Sequence, residues 1–379
     1  MTPRRPLKTT DHPPDGDPDW APDLPSIWDV ADDEEDDSSD RLLPEDDPFA
    51  PPIPMAARRP DWHTPEAWIT AERGAGRALA AAAEAVARLD ERLRRAPEAT
   101  RLAWQERLAL TDVSTLLWAE GVRLRPETLA LADADRLGRT EDEDQVIARA
   151  LWARRRLMGQ GALPEHAQDV AAFLGRIPRA DAPEWQDLPE AMIPVGPDPA
   201  AEAAWCQAMS ALADAHALTR SAAAFHLWRG VGLSDPGAWL EPGVAAARIA
   251  VLDARRGLTA APLLAGSERT RAGTGGAMER LGTWLAGLTR AADHAQMTLD
   301  RIEAWQARAQ ATASSLKGKG AVALIELLAA RPIVSAKDVA QALDLSAVQA
   351  RTLLNRLHAL GLTHELTGHS RFRFWTAQS

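Results

Sequence analysis

The chain has 379 residues, 46% of them hydrophobic, so it is long enough for two or three domains with packed cores. Its single cysteine, Cys206, excludes an intramolecular disulfide framework and fits a reducing compartment. The formal net charge of -11 would argue against a nucleic-acid-binding protein if it were spread evenly along the chain.

The charge is instead strongly uneven. Residues 1–60 hold 16 acidic and 6 basic side chains, a net of -10, and 13 of the 27 prolines. Such a composition cannot offset the entropy of ordering, so it predicts a disordered, acidic, Pro-rich tail. Isolated apolar residues such as Trp28 and Phe49 leave two alternatives to a solvated linker: a short partner-binding motif, or an acidic strip that competes with DNA. Residues 314–379 hold 8 basic and 4 acidic side chains, a net of +4.

No signal peptide is expected, because residues 1–20 lack an apolar stretch. No apolar run elsewhere is long enough to span a membrane, so the sequence predicts a cytoplasmic protein that does not enter the membrane.

Residues 61–313 are predicted to form an α-helical body. Ala and Arg favour helix, and the 14 Trp residues are expected to anchor the core where Ala-rich helices would pack thinly. Thr64 and Pro65 are typical of a helix start, and Gly121 of a helix end. The apolar spacing predicts helices over about 64–97, 100–120, 142–158, 165–175, 200–230, 243–257 and 277–312, with a Pro-rich loop over 177–199.

The end of the chain has the element order of a winged helix-turn-helix. Residues 322–330 have the pattern of a first helix, residues 335–338 resemble a capping box that opens a second, and Ser346 is placed to cap a third helix that stops at Gly361. After Gly361 the period changes to two, which predicts strands over 362–366 and 371–375. The predicted fold class is mainly α: a helical body followed, over 314–379, by a winged helix-turn-helix with a small β-hairpin wing.

The third helix of this region is predicted to be apolar on one side and polar on the other. Arg pairs bidentately with guanine, and Asn or Gln with adenine, so the polar side suits the major groove of DNA. On the return strand Phe372 and Phe374 are expected to pack on the helices, while the arginines between them contact phosphates. The predicted DNA-binding residues are Ser346, Gln349, Arg351, Thr352, Asn355, Arg356, Arg371 and Arg373. The alternative for the same fold is dimerisation or protein docking.

Residues 248–379 resemble the C-terminal part of Fic-family proteins. The likeness is carried by the stretches 248–252 and 261–264 and by residues 346–375. Glu120 and Gly121 stand where Fic proteins carry an inhibitory helix, although Leu116 replaces its serine. The resemblance implies a Fic-like helical body.

The catalytic loop of that family has no counterpart with the same chemistry. Fic enzymes that transfer AMP use a histidine base, and the corresponding residues 232–248 contain no histidine. Only Pro236, Gly243 and Arg248 match by type. The resemblance therefore implies a degenerate relative without enzymatic activity. The chain also resembles, over nearly its whole length, a family of uncharacterised bacterial proteins with an acidic Pro-rich start, a central helical domain of unknown function and this same ending.

The sequence thus predicts a non-enzymatic DNA-binding protein, a transcriptional regulator with double-stranded DNA as partner and homodimerisation through the helical body as one option. Two alternatives stay open: a residual Fic-type nucleotide-handling protein, and a protein-docking, antitoxin-like partner. No cofactor or metal site is predicted, because His216 and His226 have no acidic pair at metal spacing. Cys206 is expected to be a small buried residue.

Overall fold

The structure is a computed structural model. It describes residues 61–133, 141–176, 198–254, 256–263, 275–314, 320–366 and 373–378. Several predicted features lie outside the described residues. They are the acidic tail over 1–60, most of the predicted loop over 177–199, residues 367–370 between the two predicted wing strands, Arg371 and Phe372.

Helices dominate the described residues, as the composition predicts. Thirteen α-helices are present there: α1 (Pro65–Gly74), α2 (Gly76–Arg95), α3 (Glu98–Ala119), α4 (Pro126–Asp133), α5 (Glu141–Leu157), α6 (Ala167–Leu174), α7 (Pro199–Ala211), α8 (Ala217–Val231), α9 (Leu240–Ile249), α10 (Ala277–Ala313), α11 (Gly320–Ala330), α12 (Ala336–Ala342) and α13 (Ala347–Ala359). None of the described helices is both long enough and apolar enough to cross a membrane.

The helical body is organised around α10, a helix of 37 residues that packs along α1, α2 and α8. The main core contains Trp68, Trp205 and Trp228, each at most 1% exposed. The prediction that tryptophans anchor an Ala-rich core is confirmed for these residues. Trp118 is an exception, because it lies 61% exposed near the end of α3.

Two of the predicted long helices are interrupted. The helix predicted over 64–97 is divided into α1 and α2 at Ala75, whose amide bonds back to the carbonyls of Ala71 and Glu72. Glycines on both sides of Ala75 weaken the helix at this point. The helix predicted over 200–230 is divided between α7 and α8, and His216 begins the second part by accepting the Leu218 amide on Nδ1 at 3.1 Å. A side-chain cap of this kind begins a new helix after His216, and the preceding helix has already ended at Ala211.

Buried polar side chains from α2 and α3 hold the segment that follows α9. Asp90 Oδ1 accepts a hydrogen bond from the Leu258 amide at 2.7 Å, and Asp112 Oδ1 accepts one from the Leu263 amide at 3.1 Å. Gln105 Nε2 donates to the Gly257 carbonyl at 2.6 Å. Burial raises the pKa of Asp112 well above its ordinary value, because the hydrogen bond from Leu263 offsets only part of the desolvation.

The described parts of residues 320–378, called the C-terminal module below, contain α11, α12, α13 and a three-stranded antiparallel sheet. The strands are β1 (Val334–Ser335), β2 (Thr363–Glu365) and β3 (Phe374–Ala377), in the order β1-β3-β2. The module has its own core, to which the end of α10 contributes Ile302, Trp305 and Ala309. The indole of Trp305 donates to the Leu362 carbonyl at 2.9 Å, which fixes the start of β2 against α10.

The sheet differs from the predicted hairpin in two respects. The short strand β1 was not predicted, and it pairs Val334 with Trp375 and Ser335 with Phe374. Along β3 the residues in the module core are Trp375 and Ala377 rather than Phe374, although Phe374 is itself buried. Side chains alternate along a strand, so the face that packs on the helices is shifted by one residue from the predicted one.

Candidate nucleic-acid interface

Helix α13 is fixed by one side in the core of the C-terminal module. Ala350, Leu354 and Leu357 are fully buried there, at the i, i+4, i+7 spacing of a single helix face. The turn before the helix passes through Asp344, whose positive φ of 52° is a conformation that Asp tolerates better than most residues. Because one side of α13 is buried in the core, its opposite side is directed outward.

The outward side of α13 carries Val348, Arg351, Thr352, Asn355 and Arg356, all exposed. Within the described part of the chain, no hydrogen bond or ion pair engages the side chains of Arg351, Asn355 or Arg356. The Thr352 hydroxyl donates to the Val348 carbonyl of its own helix at 2.9 Å, and its lone pairs stay available. This surface is called the α13 face below.

Two of the predicted DNA contacts are engaged in the helix cap. Ser346 Oγ accepts the Gln349 amide at 3.3 Å, and Gln349 Oε1 in return accepts the Ser346 amide at 2.9 Å and the Ser346 hydroxyl at 2.9 Å. This is a capping box, as in the predicted second helix, where Ser335 and Asp338 form another. Bidentate recognition of adenine needs both the oxygen and the nitrogen of an amide, so Gln349 cannot provide it while the cap is intact.

Arg373, a predicted phosphate contact on the wing, is also engaged within the chain. Arg373 is half-buried, lies 3.4 Å from the Glu365 carboxylate on the neighbouring strand, and stacks over Trp375 with 5.2 Å from its Cζ to the ring centroid. Its charge is therefore largely compensated within the sheet. Arg373 also shares a strand face with Trp375, which is the face directed to the core and not the face predicted from the sequence. Arg371 lies outside the described residues.

A single arginine of the body ties the C-terminal module to α3. Arg107 donates to three carbonyls at the end of α11: those of Leu328 at 2.7 Å, Ala329 at 3.3 Å and Arg331 at 2.8 Å. A cation at the carboxyl end of a helix satisfies free carbonyls and interacts favourably with the helix dipole. Burial lowers the pKa of Arg107 to about 10. The α13 face is thus presented from a module that is anchored to the body.

Residues 232–248, where the resemblance to Fic proteins predicts a degenerate catalytic loop, are engaged in contacts within the chain. The Glu120 carboxylate accepts the amides of Trp239 at 2.7 Å and Leu240 at 2.8 Å at the start of α9, and its other oxygen lies 3.0 Å from Arg149. The exposed amides at a helix start are the groups that bind anions. At α9 they are already bound to a buried carboxylate.

Residues within α9 are also in close contact with other parts of the chain. A Cβ at Gly243 would lie 2.6 Å from Leu116 Cδ2, so the leucine that replaces the serine of the resembled motif packs directly on this glycine. Next to it, the buried Glu241 accepts a hydrogen bond from the Ser234 hydroxyl and pairs with Arg176. The arrangement has the tight polar pairing of a structural contact.

The remaining candidate residues of the sequence have internal roles. His226 is 5% exposed among aromatic rings, and burial together with Arg280 and Arg229 lowers its pKa to about 3. Cys206 is half-buried, and burial raises the pKa of its thiol to about 11, which keeps it in the unreactive thiol form. Among the described residues, no group of three or more His, Cys, Asp or Glu is placed to hold a metal ion.

A comparison with protein families gives one match. The model of a family described as "Protein of unknown function (DUF1403)" matches residues 247–376, about a third of the chain. The matched stretch runs from the end of α9 through α10 to β3, so it includes the α13 face and excludes most of the helical body. A comparison with curated proteins gives no match.

Proposed function

We propose that the C-terminal module is a winged helix-turn-helix, and that the protein is a non-enzymatic DNA-binding regulator whose α13 face enters the major groove of double-stranded DNA. The observation that carries this proposal is the α13 face itself. It combines two exposed guanidinium groups and an exposed amide, free of described partners, on a helix whose other side is fixed in a core. Arginine and asparagine in that setting are the side chains that pair with guanine and adenine.

The charges of the module support the same function. Arg331, Lys337, Arg351 and Arg356 are exposed, whereas Asp338 is engaged in a capping box and Glu365 pairs with Arg373. The exposed acids of the described module are Glu326 and Asp344, so its exposed charged side chains are mostly basic. Basic groups of this kind supply the salt-dependent part of DNA binding.

We infer that the helical body is related to Fic proteins but has lost their chemistry. The absence of a histidine in residues 232–248 supports the loss of chemistry, and so does the Glu120 carboxylate at the start of α9. An incoming phosphate would have to displace a carboxylate that is already bound to two amides and to Arg149. A nucleotide-handling activity is therefore not favoured. Homodimerisation and a cytoplasmic location stay predictions from the sequence.

The test is fluorescence anisotropy of the full chain with labelled double-stranded DNA of mixed sequence, repeated at several salt concentrations. We expect the affinity to fall steeply with salt, and the double variant Arg351→Ala/Arg356→Ala to lose about thirtyfold or more, because each of the two lost contacts is worth roughly 1–3 kcal/mol. The matched control is Arg77→Ala/Arg290→Ala, which removes two exposed arginines of the body and changes the net charge equally.

Two outcomes would contradict the proposal. If the parent binds DNA and the α13 double variant binds it equally well, the α13 face is not the interface. If the parent binds no DNA even at low salt, the module docks protein instead, and a partner that co-purifies with the parent but not with the α13 double variant would establish that alternative.

A further inference from the structure

One residue of the α13 face has a chemistry that phosphate binding does not explain. Val348 is 73% exposed, the highest value among the large exposed hydrophobic side chains of the described residues. It lies in the first turn of α13, between Ser346 and Gln349, the two residues of the capping box. A β-branched residue is not among the best helix formers, and at this exposure the valine gains little from packing within the chain.

The position of Val348 on the helix is central to the α13 face. Seven residues make almost two full turns, so Val348 and Asn355 lie in line along the axis. Arg351 and Arg356 flank this line on opposite sides, by the same helical spacing. Charged side chains long enough to reach phosphates or guanine thus border a central line that has an apolar side chain at its N-terminal end.

Major-groove base edges present hydrogen-bonding groups and one apolar group, the 5-methyl of thymine. In helix-turn-helix proteins the N-terminal residues of the recognition helix are those that contact base edges. An exposed apolar side chain at this end matches the thymine methyl and no other feature of the groove floor. The hydroxyl-bearing Thr352, one turn later, also has a methyl group and is the nearest competitor for the same contact.

We propose that Val348 is a specificity-determining residue that contacts the 5-methyl group of a thymine, so that the DNA sites bound by this protein contain a thymine under the start of α13. The inference rests on the proposed function and adds the chemical class of base that the α13 face selects. It assigns to Val348 a discrimination between thymine and uracil, which differ only in that methyl group.

The test begins with selection of preferred sites from a random double-stranded library by the full chain. Each thymine of the selected site is then replaced, one at a time, by deoxyuridine. At one thymine we expect about a fourfold loss of affinity, the value for burying one methylene-sized group. The variant Val348→Ala is expected to lose most of the preference for the thymine probe over the deoxyuridine probe, because its shorter side chain reaches the methyl group less closely, and alanine preserves the helix because it is the best helix former.

Two matched variants make the assignment specific. Thr352→Ser removes the competing methyl and keeps the hydroxyl, and Val322→Ala shortens another exposed valine, on α11. Both are expected to keep the fourfold preference for thymine. Loss of the preference in Thr352→Ser but not in Val348→Ala would overturn the assignment, as would a selected site in which no thymine responds to deoxyuridine.

The outcome also separates this inference from the proposed function. Salt-dependent binding that Arg351→Ala/Arg356→Ala weakens, combined with no effect of deoxyuridine, would overturn the role of Val348 alone. A parent protein that binds no DNA would overturn both.

Discussion

His226 connects the buried aromatic cluster of the body to the pH dependence of stability. Its ring is stacked on Trp68 at 5.7 Å between centroids, contacts Phe225 and Trp284, and has Nδ1 3.1 Å from the Arg280 guanidinium. The nearby guanidinium and the lack of water both oppose protonation of the imidazole. Its pKa is lowered to about 3. We consider replacement of His226 by glutamine, which keeps a polar side chain and cannot be protonated.

The sign and the size of the effect follow from linkage. The unfolded chain protonates His226 near its ordinary pKa of about 6.5, whereas the folded chain does not until about pH 3, so folding loses stability as the pH falls through this window. At pH 5 the solution is about 1.5 pH units below the ordinary pKa of His226, so protonation stabilises the unfolded state and not the folded state. At 1.36 kcal/mol per unit, the free energy of unfolding falls by about 2 kcal/mol between pH 7 and pH 5.

The assay is urea unfolding at pH 7 and pH 5, followed by tryptophan fluorescence. We expect the parent to lose about 2 kcal/mol more than His226→Gln between the two pH values, because all other titrating groups are common to both chains. The matched control is His364→Gln, which removes an exposed histidine from β2 and should behave as the parent does. An equal loss of stability in the parent and in His226→Gln would refute the reasoning.

Two further predictions concern contacts that hold the fold together. Arg107→Met should lower the free energy of unfolding by about 2 kcal/mol, since three carbonyls at the end of α11 lose a charged donor. Urea unfolding checks this against the exposed Arg77→Met, and an equal stability of the two variants would contradict it. Asp112→Asn keeps an acceptor for the Leu263 amide and removes a carboxyl whose raised pKa makes folding less favourable as the pH rises from about 4. The stability of this variant relative to the parent should therefore grow from pH 5 to pH 8, and a difference that stays constant with pH would show that Asp112 does not titrate as inferred.

Much of the fold could be predicted because local signals and tertiary packing agree. The capping boxes at Ser335 and Ser346 and the stop at Gly361, with a φ of 67°, are formed where the sequence places them. These features depend on residues within four positions of one another, so the sequence contains the whole interaction. The start of α1 shows the limit even here, because the Thr64 hydroxyl bonds to the Asp61 carbonyl instead of capping the helix.

The remaining differences arise from partners that are distant in sequence. β1 has two residues, and it is a strand only because β3 returns beside it. The face of β3 is decided by which large side chain fits the module core, and the indole of Trp375 fills it. The anchor at the end of α11 is an arginine from α3, more than two hundred residues earlier, which no local pattern around Leu328 could indicate.

In the candidate site, too, some features follow from the local sequence and others depend on the partners of each side chain. The sequence predicts that polar side chains on the outer faces of a helix and of the return strand are available to DNA, but Gln349 is bound by its own cap and Arg373 by Glu365. Val348 is not among the predicted contacts, and an apolar residue on a polar face does not fit a hydrogen-bonding code. Its signal was present in the sequence, at the spacing of three, four and seven residues that joins it to Arg351, Thr352 and Asn355.

At the start of α9, the helix amides are engaged independently of whether a histidine is present nearby. A histidine introduced near residue 236 would supply a base, but the amides would still be bound to Glu120, and Arg149 would still hold that carboxylate. Removing Glu120 alone would free the amides and leave Arg149 without its carboxylate, at a cost in stability. Nucleotide chemistry in this region would therefore need at least two coordinated changes, whereas the proposed contact of the α13 face with DNA uses side chains that are already exposed.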